Sequence, residues 1–290
     1  MNVEAVVHLP AQVGEGPLWD HRAKCLWWID IVGKQLYRFD PKTHDNKAWD
    51  LEVMPGTVVV RESGGLMLSV PDGFAAFDPD TGVMEMVAEV EAEIKGNRVN
   101  DGKCDPAGRF WAGSMQMDTQ AAGGSLYSLD ADKRVTQHFG DVTVSNGIVW
   151  TQDATTMYYV DSHQPHVFAF DYDKRTGVIS NRRAVFDVPP DFGVPDGMAI
   201  DANDQLWIGF WGGWCIGHVC PNAGELLQTI KLPVANVTAC AFGGESLDQL
   251  FITSATAGLD ATARAEQPLA GNLFVAYPGI HGVPSPMYAG

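Results

Sequence analysis

The chain is short of positive charge. Its 19 Lys and Arg stand against 36 Asp and Glu, a formal net charge of −17 over 290 residues. Such a surface repels phosphate backbones, which argues against a nucleic-acid partner. Most of that acidity serves solubility, with a metal-binding cluster as a second contributor. Long apolar runs are also lacking. No stretch approaches the ~18 residues of a membrane helix, and the start, Met1-Asn2-Val3-Glu4, carries no basic region leading into an apolar core. No membrane partner is expected, and the cytoplasm is the expected compartment. Cysteine is sparse and unpatterned: Cys25, Cys104, Cys215, Cys220 and Cys240 are odd in number and form no CxxC pair. Buried free thiols in a reducing compartment follow. HExxH, a GxSxG elbow and a phosphate-loop context are all missing. The nearest histidine cluster, His163-Gln164-Pro165-His166, reads as a loop. No stretch sustains a helical period, so helices should be few.

What is present is repetition. Aromatic, apolar strands recur around Trp28, Met67, Trp111, Tyr158, Trp207 and Phe251, roughly every 45 residues. Six units of that size with several short strands each point to the blades of a propeller. A β-helix has shorter coils, and a sandwich has no reason to repeat six times. Turns repeat too. Phe39-Asp40-Pro41, Phe77-Asp78-Pro79 and Phe170-Asp171-Tyr172-Asp173 look like one strand end used three times, and Asp105-Pro106-Ala107-Gly108 resembles Asp201-Ala202-Asn203-Asp204. The pattern predicts an all-β, six-bladed β-propeller with a central metal site, one domain over residues 1–290. Val3 to Leu9 and Leu273 to Tyr277 are the candidates for closing the ring, which removes exposed strand edges.

Four polar residues precede a glycine at a shared offset from the aromatic strands: Glu15, Asp101, Asn146 and Asp196. Taken singly, each pair reads as a hairpin turn. Four in register with the repeat converge on the axis, while the second and sixth units offer only Thr57 and Thr238-Ala239 there. Glu15 and Asp196 supply two carboxylates and Asn146 a neutral carbonyl, an all-oxygen set for one dication. Ca²⁺, Mg²⁺ or Mn²⁺ suit it by hardness, and Zn²⁺ and Fe²⁺ also accept carboxylates. Arg98 and Asn100 share strand parity. A guanidinium at Arg98 could hold substrate oxygens in a fork. Trp211 could wall the mouth of the site, whereas Trp214 is expected to pack.

Together, Gly14-Glu15-Gly16-Pro17, Asn97-Arg98-Val99-Asn100-Asp101-Gly102, Gly108-Arg109-Phe110-Trp111-Ala112-Gly113-Ser114-Met115, Ser145-Asn146-Gly147 and Pro195-Asp196-Gly197 resemble the gluconolactonase family, which includes senescence marker protein (regucalcin) and luciferin-regenerating enzymes. The resemblance implies a six-bladed propeller that hydrolyses sugar lactones with one axial divalent metal, Ca²⁺ first among the candidates. It implies Glu15, Asn146 and Asp196 as metal ligands, Arg98, Asn100 and Asp101 at the substrate, with Arg98 and Asp101 gripping sugar hydroxyls, and Asp118 as a sugar-contacting acid in a variable loop. Trp214-Cys215-Ile216-Gly217-His218 departs from the basic, glycine-rich run that family members carry. The expected reaction is hydrolysis with the metal as Lewis acid and Asp196 as general base. The expected partner is a small-molecule sugar lactone, and the expected state a monomer or small homo-oligomer. A metal-dependent phosphotriesterase and a non-catalytic calcium-binding propeller are the two other classes the residues allow.

Overall fold

A computed structural model describes residues 2–119 and 122–290. Its strands form six four-stranded antiparallel sheets, arranged as the blades of a β-propeller. The inner strands are Gly14–Asp20, Thr57–Val60, Asn97–Cys104, Ser145–Trp150, Val194–Ile200 and Val237–Gly243, in blades 1 to 6. Each pairs with the recurring aromatic strand: Cys25–Asp30, Leu66–Val70, Phe110–Gln116, Thr156–Asp161, Leu206–Trp211 and Gln249–Ser254. Both of these strands are buried on both faces, which is why they read as near-continuous apolar runs. Outer strands such as Asn46–Asp50 alternate with solvent. The fully buried Trp28, Trp111 and Trp207 fill the layers between blades.

The ring closes as the termini suggested. Val3–Val7 is the outer strand of blade 6 and pairs with Leu273–Ala276. The single α-helix among the described residues, Ala261–Glu266, is capped by the Asp260 side chain accepting from the Ala263 N–H. Among the described residues no helix is long and apolar enough to cross a membrane. All five cysteines are free thiols, and four are buried.

The repeated turns are one device. Asp40, Asp78 and Asp173 each accept from the N–H two residues on, and their carbonyls accept from His44, Gly82 and Gly177. Gly82 and Gly177 take φ near +75°, where a Cβ is strained, and His44 fills the same place at φ +60°. In blade 4 the turn residue is therefore Asp173, not Asp171. Asp105 and Asp201 form a second repeated device. Each holds its following loop and accepts from a tryptophan indole, Trp111 at 2.8 Å and Trp207 at 2.9 Å.

Candidate active site

Four inner strands deliver the site, and a kink in each aims it. In blades 1, 3, 4 and 5 the pairing to the second strand slips by one residue, so the chain bulges where it reaches the axis. The pairs immediately before the site residues are Gly14 with Asp30, Val99 with Ser114, Ser145 with Asp161 and Pro195 with Phe210, and in blade 1 Glu15 itself still pairs with Ile29. The residues that follow are Glu15, Asn100, Asn146 and Asp196. Asn100, rather than Asp101, is thus the blade 3 member of the series. The sequence offset put Asp101 there because its glycine sits one place later than in the other blades. Thr238 holds the same place in blade 6, and Thr57 is the blade 2 counterpart, without a bulge.

The glycines have a packing reason distinct from a hairpin turn. A Cβ on Gly197 would strike Ala239 of blade 6, one on Gly147 would lie 2.8 Å from the Asp196 carbonyl of blade 5, and one on Gly16 2.9 Å from Thr57 Oγ1. Glycine after the polar residue lets neighbouring inner strands close up at the hub.

Glu15, Arg98, Asn100, Asn146 and Asp196 line one cavity of about 430 Å³ at the N-terminal ends of the inner strands. A hydrogen-bond chain fixes its amides. Arg98 Nη1 donates to Asn100 Oδ1 at 2.6 Å, and Asn100 Nδ2 donates to Asn146 Oδ1 at 3.1 Å and to the Ser145 carbonyl at 2.7 Å. Asn146 Nδ2 donates to Ser162 Oγ at 2.7 Å, and Ser162 in turn donates to the Pro195 carbonyl. Both amide oxygens are held as acceptors within this chain, Asn100 Oδ1 by Arg98 and Asn146 Oδ1 by Asn100.

The acids are crowded. Glu15 and Asp101 each accept their next residue's N–H at 2.8 Å. Burial, then the charge of Asp101, pushes Glu15 from 4.5 up to about 8. Burial, then Glu15 and Asp101, holds Asp196 well above the carboxylate range, and burial raises Asp101 as well. Burial lowers Arg98 to about 10, although Glu15 and Asp196 oppose the shift. Asp101 Oδ2 is buried with no hydrogen-bond partner. Three carboxylates that resist ionising together, with two amides lining the cavity beside them, suit a resident cation. Glu15, Asn146 and Asp196 would hold it.

Asp101 and Trp214 sit elsewhere than expected. Asp101 is buried and is not among the residues that line the cavity. Asp118 is exposed in the turn after Phe110–Gln116, with the neighbouring Thr119 reaching the cavity instead. Trp211 lines the cavity, but Trp214 is 42% exposed at φ +59° and does not pack as expected. A left-handed residue at the tip of a tight turn points its ring outward. Sequence reasoning missed Ser162 and His163, which also line the cavity. Ser162 could have been found from Asp161, since the paired Asp30 and Asp161 each bind the loop that enters their blade.

A six-bladed propeller whose inner strands gather carboxylates, amides and a guanidinium at the hub is a propeller with an axial polar site. The chain belongs to the SMP-30/gluconolactonase/LRE-like family, whose model matches residues 13–256. Regucalcin of Danio rerio is 41% identical over 293 residues, covering 100% of this chain and 99% of its own. A luciferin-regenerating enzyme superposes with a TM-score of 0.92 at 34% identity, covering 99% of each chain. The calcium-binding protein regucalcin from Agrobacterium tumefaciens superposes at 0.93 with 28% identity, covering 98% of this chain and 96% of that one.

Proposed function

We propose that the chain hydrolyses the ring ester of a sugar-derived lactone, using one dication held by Glu15, Asn146 and Asp196. The observation that carries this reading is the ring of buried acids beside a fixed guanidinium, open to a cavity of substrate size. A dication there supplies Lewis-acid polarisation of the ester carbonyl and stabilises charge developing on its oxygen. Oxygen-only donors favour Ca²⁺, in line with the calcium-binding description of the bacterial relative.

The chain's own groups do the rest. Arg98 spends Nη1 on Asn100 and offers the remaining guanidinium hydrogens to substrate hydroxyls. Asn100 holds Arg98 and Asn146 in one plane of contacts, so substrate grip and ring geometry are set together. Asp101 adds a buried charge felt by Glu15 and Asp196, and Asp118, exposed in the turn after Phe110–Gln116, would meet outer hydroxyls. Met115, Val144 and Trp211 form apolar walls that orient the ring and limit bulk water. Asp196 takes a proton from the attacking water, then returns it to the ring oxygen as the ester opens.

The test is initial-rate hydrolysis of pentono- and hexono-lactones with a panel of Ca²⁺, Mg²⁺, Mn²⁺, Zn²⁺ and Fe²⁺, beside an aryl phosphotriester. Metal-dependent turnover of a lactone supports the proposal. Faster phosphotriester hydrolysis would transfer the site to that chemistry. Metal binding without turnover of either would make it a binding protein.

A further inference from the structure

The hub has a second opening. The C-terminal ends of the inner strands line another cavity, of about 420 Å³, at the face opposite the acid ring. Its walls include Leu18, Val149, Ala199, Cys240 and Phe242. Residues Val283 to Pro286 form one side, and the segment that carries them is pinned at several points. Gly282 bridges Asp201, Tyr288 bridges Arg61, and the buried Tyr288 donates its hydroxyl to the Asp130 carbonyl at 2.8 Å. This is a walled cavity, with a roof held in place by hydrogen bonds.

Lys103 is the one charged residue among its lining. The side chain leaves blade 3, passes blade 4 and donates to the Met198 carbonyl of blade 5 at 2.8 Å. It therefore reaches across the hub from blade 3 to blade 5. That bond occupies one of three ammonium hydrogens. Among the described residues, no carboxylate forms an ion pair with it. Its charge is felt by the buried Asp101 and Glu15 on the hub side, but no carboxylate lines the cavity on its open side among the described residues.

We propose that this distal cavity binds a small amphiphilic monocarboxylate, its acid group against Lys103 and its hydrocarbon body along the walls. A neutral hydrocarbon would leave the ammonium hydrogens facing a group that cannot accept them, which costs binding energy. A sugar acid would find only Thr151, Gln152 and Ser285 for its several hydroxyls along otherwise apolar walls. The volume suits a chain of about 8 to 12 carbons, at the lower end of ordinary ligand pockets. Charge-assisted bonds to the carboxylate would supply orientation, and burial of the chain most of the affinity.

The proposal does not rest on lactone hydrolysis, and its test reads binding alone. Calorimetry with decanoate, below its aggregation concentration, is run on the wild type, Lys103→Met and Ser285→Trp. Ser285 lies on the roof, away from the acid ring, so a retained thermal midpoint shows that variant to be folded. The expected result is saturable one-to-one binding to the wild type, about tenfold weaker with Lys103→Met and abolished by Ser285→Trp, with decanol bound more weakly than decanoate. Absence of saturable binding, binding at many sites, or affinity unchanged in folded Ser285→Trp would overturn the site. Affinity unchanged in Lys103→Met would overturn the assignment of a carboxylate.

Discussion

At the scale of single residues, Ser162 shows how orientation is built. Its hydroxyl receives the Asn146 amide hydrogen and passes its own to the Pro195 carbonyl, so Asn146 presents oxygen to the ring. Ser162→Ala removes that anchor without adding bulk. Metal affinity should fall about 10- to 100-fold, as for other partners of ligating groups, and calorimetry would read it. Unchanged affinity would show the amide to be held some other way. Glu15 makes a second prediction. Its folded pKa of about 8 lies above the ordinary 4.5, so its contribution to stability is present in full below 4.5 and is lost as pH rises toward 8. Metal-free protein should therefore lose thermal stability between pH 5 and 8, and metal-free Glu15→Gln should lose less. Saturating dication should reverse the trend, because it favours the ionised acid. A flat metal-free profile, by calorimetric melting, would contradict the crowding of acids. Of the axial residues, Glu15, Asn146 and Asp196 were legible because each precedes its glycine. Ser162 was reachable only through Asp161 before it, and His163 was not legible, since a loop residue beyond the end of Thr156–Asp161 carries no periodic signal.

At the scale of the strand, the bulge and its glycine are one unit. The inner strands come close enough that a methyl on Gly197 would strike Ala239 of the next blade. Gly197→Ala should destabilise by about 1–3 kcal/mol through overpacking and should also weaken metal binding by moving Asp196. A denaturation midpoint at the wild-type value would mean that the blades are not packed this tightly. The same unit explains where sequence reading slipped. Counting back from each glycine selects Asp101 in blade 3, but strand register selects Asn100, because pairing is counted from the second strand and not from the turn. Trp214 failed for a related reason: its neighbours suggest a core strand, and only its left-handed backbone reveals a turn.

At the scale of the molecule, the repeat was legible from the aromatic strands alone, since each blade must bury its second strand on both faces. The distal cavity and the crossing of Lys103 were not, because they depend on how the ring closes in three dimensions. Closure itself is testable. Val3–Val7 supplies the outer strand of blade 6, and its removal exposes the edge of Leu273–Ala276. The truncated chain should melt at lower temperature and associate through that edge, as light scattering during a melt would show. A monodisperse, equally stable truncation would deny the closing strand its role. The central claim is that the ring of axial acids performs hydrolysis, with Asp196 both holding the dication and taking the proton. The most direct measurement is kcat for lactone hydrolysis by Asp196→Asn at saturating dication, with occupancy checked by calorimetry. The account predicts a loss of about 10²- to 10⁴-fold or more with metal bound. Near wild-type kcat in a metal-loaded Asp196→Asn enzyme would contradict it.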